Sequence, residues 1–263
     1  MANKVWNGST GNLTTAGNWV GGVVLGAGDV AIFNRGSQDV DPSLGNIAAF
    51  DGLEIQPGYT GTIGGTGNKM TSSVALIRHV GNAELWFDDA AGTTVDVYIR
   101  ATDRNVVINL GGDTMTNVTL MRGNITLDGS MGVIALLKVG FVDSREQDVM
   151  LNVVTNGNAI TVGKISGGVV TLNKELITTY MSGGLVNVPV GTSGDMGTID
   201  MSGGVIRHNT SATIDLATVE NATLDLGMEA KTVTKLIELA GANVIDNDVL
   251  HTISARHNLA EVD

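Results

Sequence analysis

Short runs of alternating apolar and polar residues, separated by small turn residues, recur along most of the chain. The clearest repeated phrase is an apolar residue, then Ser-Gly-Gly, then a second apolar residue, and it occurs at Ile165–Val169, Met181–Leu185 and Met201–Val205. Looser copies lie at 219–223 and 239–243. Alternation with a period of two is typical of strands that have one buried face. The pattern therefore predicts short β-strands joined by tight glycine turns.

The spacing of the phrases predicts how the strands are arranged. The second residues of the five phrases are 16, 20, 18 and 20 residues apart, and they are Ser166, Ser182, Ser202, Glu220 and Ala240. A period of this length with about two strands is typical of one β-solenoid coil, which buries its inward side chains only when coils stack. We expect an all-β chain, a single-stranded β-solenoid (β-helix-like) of irregular coils of 16 to 20 residues. The variable period leaves an irregular β-sandwich as the alternative.

One segment of the body has two interpretations. The apolar residues of 231–241 are spaced for a helix, with the final glycine as its C-terminal cap. The alternative places Val233, Ile237 and Leu239 on the inward face of a strand. The register of the repeat favours the strand, and 131–139 has the same ambiguity.

The beginning and end of the chain differ from its middle. Residues 1–70 hold two of the three tryptophans, and residues 247–263 lose the glycine pattern and end polar. The terminal coil of a solenoid has an unpaired edge, which bulky residues can close as a cap. We predict an N-terminal cap or docking module at 1–70, a solenoid body at 71–246, and a C-terminal cap or arm at 247–263.

Three aromatic residues of the first module are the candidate binding residues. Aromatic side chains commonly dominate protein interfaces, so Trp6, Trp19 and Phe33 are predicted anchors of a docking surface. The second interpretation of the same residues is an internal core of the cap.

Composition and charge exclude several classes of protein. The chain has 43 % hydrophobic residues, which excludes disorder, and no cysteine, which excludes disulfides and thiol chemistry. A net charge of −12 with scattered basic residues argues against nucleic acid as a partner. The longest apolar run, near 133–137, is far shorter than the ~18 residues of a membrane span. The first residues lack the apolar region of a signal peptide, so we expect a protein made in a cytoplasm that has no membrane partner.

Candidate catalytic and metal-binding residues are sparse. The four histidines form no metal-binding pair, and isolated histidines at coil edges are expected to face solvent. Asp246-Asn247-Asp248 offers oxygen ligands for calcium, but the glycine and the distal glutamate of a calcium loop are absent. We therefore expect no metal site and no cofactor.

Carboxylates are the candidate catalytic residues, because solenoid folds host lyases and glycosidases. Asp143, Arg145 and Glu146 form the one compact candidate, and Asp200, Asp215 and Asp225 lie on neighbouring coils. A glycosidase needs two carboxylates about 5 to 9.5 Å apart across a groove that usually has aromatic platforms. Only 4 % of the residues are aromatic. The sequence therefore favours a protein that is not an enzyme and has solvated polar corner loops.

The N-terminal residues carry a resemblance. The motifs are Trp6-x-Gly8, Asn18-Trp19-x-Gly21-Gly22, Gly28-Asp29-x-Ala31-x-Phe33 and Gly58-Tyr59-Thr60-Gly61-Thr62-Ile63. This string of about 60 residues resembles the entry module of repetitive β-solenoid proteins of tailed-phage virions and of bacterial adhesin-like proteins.

The resemblance implies a function. It implies a capsid decoration (cement) protein on the capsid surface of a virion, which bridges major capsid proteins and works as a homo-oligomer, most simply a trimer. Two alternatives stay open: a tail fibre or adhesin that binds host-surface glycans, and a β-helix enzyme that degrades polysaccharide.

Overall fold

A computed structural model describes residues 2–89, 95–109, 114–128, 133–140, 151–156, 159–246 and 251–259. The chain is all-β, with 60 % strand and 3 % helix, and its parallel strands stack in coils that form a β-solenoid of about 10 turns. The solenoid prediction is therefore confirmed. Within the described ranges, no helix is long and apolar enough to cross a membrane.

Contacts divide the chain into two compact units, Met1–Gly132 and Val133–Asp263. The predicted module boundaries at 70 and 246 stay predictions. The first unit has two short 3-10 helices, Ala16–Asn18 and Pro42–Leu44. Its strands are β1 (Asn3–Val5), β2 (Val30–Phe33), β3 (Gly52–Ile55), β4 (Thr62–Ile63), β5 (Met70–Ser72), β6 (Leu76–His79), β7 (Glu84–Asp89), β8 (Val95–Asn109) and β9 (Thr114–Asp128).

Two parallel ladders build the first unit. The first ladder runs β1, β2, β3, β6, β8, β9, and the second joins β4 and β5 to β7 and then to the far halves of β8 and β9. Equivalent positions stack in columns, and one buried column is Phe33, Ile55, His79, Ile99 and Leu120. Each fully buried aliphatic side chain contributes roughly 1.5 to 3 kcal/mol, so the columns hold successive coils together.

The second unit has the same plan. Its strands are β10 (Val133–Val139), β11 (Leu151–Asn156), β12 (Ala159–Ile165), β13 (Val169–Leu172), β14 (Leu176–Val188), β15 (Met196–His208), β16 (Ile214–Val219), β17 (Thr223–Asp225), β18 (Thr232–Glu238), β19 (Asn243–Ile245) and β20 (Thr252–Asn258). One ladder runs β10, β12, β14, β15, β16, β18, β20, and the other runs β11, β13, β14, β15, β17, β19. The long strands β14 and β15 take part in both ladders.

The Ser-Gly-Gly phrases stack in register. Ile165 pairs with Met181, which pairs with Met201, and all three side chains are buried. The phrases bend the strands, because Gly184 and Gly204 have φ of 83° and 86° and the register shifts there. In the second and third phrases the predicted turns are therefore bends inside the long strands β14 and β15, whereas the first phrase separates β12 from β13.

The segment with two interpretations is a strand. Residues 232–238 form β18 and the described part of 131–139 forms β10, as the repeat register predicts. The fifth phrase is shifted by one residue, because Val219 pairs with Glu238 and not with Leu239. Glu238 thus takes the buried place that Met201 and Val219 fill in earlier coils.

The Glu238 carboxylate is paired with Arg256, an exposed residue of the next strand that is in register with Leu236. Arg256 Nε donates to Glu238 Oε1 at 2.6 Å, and a second guanidinium nitrogen donates to Oε2 at 3.2 Å. Glu238 is 8 % exposed, and the members of its column in the preceding coils are apolar: Ile165, Met181, Met201 and Val219. A bidentate arginine is the partner that best compensates a carboxylate there. The apolar interior therefore gives way to a charged pair at β18 and β20.

The bend at Gly184 yields a stability prediction. A Cβ at this position would lie 2.7 Å from Gly167 C and 2.8 Å from Gly168 O, and the positive φ disfavours any L side chain. We expect Gly184→Ala to lower the free energy of unfolding by about 3 kcal/mol, from backbone strain and overpacking together. Urea unfolding followed by circular dichroism measures the loss.

Gly191→Ala is the matched control. Gly191 has φ 76°, but a Cβ there meets no atom within 4 Å. Its substitution should lower the free energy of unfolding by about 1 kcal/mol, from the strain of an L residue at positive φ alone. Equal losses in the two variants would show that close contact between coils at the phrase does not matter.

Candidate functional site

The three predicted anchor residues lie together in the first unit. The rings of Trp6 and Trp19 meet edge to face with centroids 5.1 Å apart, and Phe33 lies 5.5 Å from Trp6 and 6.0 Å from Trp19. Tyr59 extends the cluster, 5.2 Å from Phe33. All four side chains are at most 2 % exposed. The structure thus places Trp6, Trp19 and Phe33 in the interior, where the second interpretation expects them.

A buried amide fixes the loop around this cluster. The Asn18 side chain is fully buried; its Oδ1 accepts from Ser9 N and Thr10 N, and its Nδ2 donates to Thr10 O. Trp19 Nε1 donates to Leu13 O at 2.7 Å. Asn18 belongs to the Asn18-Trp19-x-Gly21-Gly22 motif, and these bonds give the physical reason for an asparagine there.

Trp6 has a different environment. Its Nε1 is buried and has no hydrogen-bond partner in the described structure. The ring packs against Gly8, where a Cβ would lie 2.4 Å from Nε1. Trp6 also lines a pocket of about 220 Å³ whose wall includes exposed Arg35 and Gln38. We call this the Trp6 pocket.

The residues of the Trp6 pocket include hydrogen-bond donors, so the pocket is suited to bind a hydrogen-bond acceptor. An indole N–H only donates, and a guanidinium carries five donors and a permanent charge. Trp6 Nε1 is itself buried behind the wall of the pocket, so the accessible donors are those of the exposed residues Arg35 and Gln38. The site is thus suited to a protein loop or an acidic side chain.

Two of the four histidines are core residues, and the expectation of solvent-facing histidines is wrong for them. His79 is fully buried in the column between Ile55 and Ile99. Gly81 N donates to its Nδ1 at 3.2 Å, so its Nε2–H donates to Ala83 O at 2.9 Å. Burial lowers the pKa of His79 to about 4. The neutral ring closes the turn after β6.

His208 lies at the end of β15 and is also fully buried. Its Nε2 lies 3.1 Å from Gly194 O. Burial, with a contribution from the charge of Lys231, lowers the pKa of His208 to about 4. Lys231 Nζ donates to His208 O at 2.8 Å and to Leu226 O, so this buried lysine holds two strand ends together.

The candidate carboxylates are not brought together. Asp200 pairs in register with Thr218, while Asp215 lies at the other end of the same strand, β16. Asp225 is on the other ladder and accepts from Gly227 N. Asp246 contacts His251 Nδ1 at 2.6 Å.

Several predicted candidates lie outside the described residues: Asp143, Arg145, Glu146, Asn247 and Asp248. Over the ranges that are described, no group of three or more His, Asp or Glu side chains is placed to hold a metal ion.

Comparisons with known proteins identify no relative. No family model, no curated protein and no solved structure matches the chain. The resemblance of the N-terminal string stays an expectation, and function is argued below from the chain's own residues.

The buried histidines predict how stability depends on pH. Their folded-state pKa of about 4 lies below the ordinary value of 6.5, so between these limits the unfolded chain binds protons that the folded chain does not. Stability should be highest above pH 6.5 and fall as the pH drops toward 4, by up to about 3 kcal/mol for each histidine. Urea unfolding at a series of pH values measures this slope.

Variants separate the histidines from the carboxylates, which also titrate at low pH. His79→Gln should reduce the dependence of the unfolding free energy on pH between pH 6.5 and 4, because the unfolded chain then binds one proton fewer. His257→Gln removes an exposed histidine and serves as the matched control. A slope that is the same in wild type and His79→Gln would contradict the buried neutral ring.

Proposed function

We propose that the chain is a non-enzymatic structural protein of a virion, a capsid decoration protein that binds the outer face of an assembled capsid and bridges major capsid proteins. The observation that carries the proposal is the Trp6 pocket. Its lining includes Trp6, whose buried indole donor has no internal partner, and the exposed residue Arg35. The capsid as the location comes from the resemblance of the N-terminal module.

An unsatisfied buried donor favours docking. A buried N–H without an acceptor costs about 1 to 3 kcal/mol, which an acceptor from a partner recovers. Arginine and tryptophan are also the residue types that most often dominate interface energies. The Trp6 pocket thus supports recognition of a protein surface that presents a carbonyl or a carboxylate.

The stacked ladders support a mechanical role. Each coil is joined to the next by parallel backbone hydrogen bonds and buried columns, so load is shared over many contacts. A protein that binds only the assembled capsid stabilises that state by mass action, and a homotrimer that engages several sites at once gains further through effective concentration. The negative net charge of −12 suits a position outside the shell, away from packaged nucleic acid.

The location is tested on intact particles. In virions that carry the protein, cryo-microscopy and quantitative mass spectrometry should find it on the outer capsid surface in numbers that match the major capsid protein. A few copies at the tail, or none in particles, would contradict the decoration role.

The docking residue is tested by rebinding to particles stripped of the protein. Arg35→Glu should weaken rebinding by at least ten-fold, because it places a carboxylate where the pocket offers donors. Arg207→Glu makes the same charge change at an exposed site in the second unit and should leave affinity unchanged. An equal loss of affinity in the two variants would indicate that net charge governs rebinding and would contradict docking through the Trp6 pocket. Thermal unfolding confirms that both variants fold.

A further inference from the structure

The outer face of the second unit carries an open groove of about 510 Å³. It lies across β12, β14 and β15 at the bend that the Ser-Gly-Gly phrases create. Its volume is in the range of sites that bind small molecules.

The bend is the reason for the concave shape. A Cβ on Gly183 would lie 2.7 Å from Ser166 O, and one on Gly203 would lie 2.6 Å from Ser182 O. Only glycine allows neighbouring strands to approach so closely at this point. Because the bend repeats at the same place in each strand, the groove runs across the strands.

Two rows of side chains line the groove. Residues of the outer row pair in register, Lys164 with Tyr180 and Tyr180 with Asp200. The inner row consists of Ser166, Ser182 and Ser202; the Ser166 hydroxyl already donates to Gly140 O and can only accept from a ligand. The ladder therefore offers one cation, one aromatic ring, one carboxylate and three hydroxyls on adjacent strands.

Tyr180 is the central feature. Its side chain is on the outer face, and the residue is 47 % exposed. Its neighbours in register, Lys164 and Asp200, are on the adjacent strands, about 4.8 Å away on either side. Beneath it, Ile165 and Met181 are buried, so backbone and buried side chains form a firm floor.

We propose that this groove binds an acidic oligosaccharide of hexopyranose units, with one sugar ring stacked on Tyr180. An exposed aromatic ring gives an apolar platform for the C–H face of a pyranose and has a polar tip for hydroxyls. Serine hydroxyls donate and accept, which suits the many hydroxyl groups of a sugar. A few placed polar groups around an apolar platform are the usual composition of a specific small-molecule site.

The charges that flank Tyr180 favour an acidic sugar and determine the direction in which the oligosaccharide lies in the groove. Lys138 pairs in register with Lys164, so two lysines occupy adjacent strands on one side of Tyr180. A sugar carboxylate on that side gains charge-assisted hydrogen bonds. Asp200 on the other side accepts from neutral hydroxyls and repels a carboxylate. The acidic unit is therefore placed over the lysines.

This inference goes beyond the proposed function and does not depend on it. The groove belongs to the second unit, whereas the Trp6 pocket belongs to the first. A decoration protein with such a groove holds saccharide at the particle surface, and a failure of either binding test leaves the other result intact.

Isothermal calorimetry with the full chain tests the proposal. The ligands are galacturonate, mannuronate and glucuronate oligosaccharides, each compared with the same oligomer after its carboxylates are reduced to alcohols. At least one acidic oligomer should bind, and its reduced form should bind at least ten-fold more weakly. No binding of any acidic oligomer, or equal binding of the reduced forms, would overturn the proposal.

Variants localise the binding. Tyr180→Ala should lower affinity at least ten-fold, Tyr180→Phe should retain most of it, and Lys164→Met should reduce the preference for the acidic form. Ile177→Ala changes an exposed apolar residue on the same strand outside the groove and serves as the matched control. Binding that survives Tyr180→Ala, or is lost equally in Ile177→Ala, would place the sugar elsewhere.

Discussion

The rest of the structure depends on the stacking of equivalent inward side chains from one coil to the next. No coil has a core of its own, because a single turn of two short strands cannot enclose its apolar side chains. In the second unit the column Val153, Val170, Val186, Ile206, Leu224 shows how this is solved, since every member is buried by the coils beside it. Register is therefore set by burial, because a shift of one residue would turn each side chain outward.

The same requirement links the interior to the surface. The bend that keeps Ile165, Met181 and Met201 inside also gathers the residues before and after them on the outer face. A glycine substitution at the bend thus disturbs both the column and the groove. The Glu238–Arg256 pair shows the cost of a polar residue in a column, since its carboxylate is held by two guanidinium hydrogen bonds.

Much of the architecture could be predicted from the repeat, because the phrases place both the bends and the buried residues. The repeat also contains the signal for the groove: Lys164, Tyr180 and Asp200 occupy the same place in three successive phrases. The groove was not predicted because the aromatic residues were considered only as a fraction of the composition and not by their positions in the repeat. The burial of His79 could not be predicted because it depends on register with Ile55 and Ile99, which lie outside the five repeated phrases. The one-residue register shift at Glu238 could not be predicted either, because the sequence does not show that Arg256 compensates the buried carboxylate.

The central claim is that this chain acts by presenting surfaces on a stable stacked scaffold. Hydrogen–deuterium exchange of the protein, free and mixed with the capsid particles proposed as its partner, tests that claim most directly. The account predicts new protection of amides at 35–38, around the Trp6 pocket, while the paired amides of β14 and β15 exchange slowly and equally in both states. Protection confined to the second unit, or ladder strands that become ordered only on the particle, would contradict it.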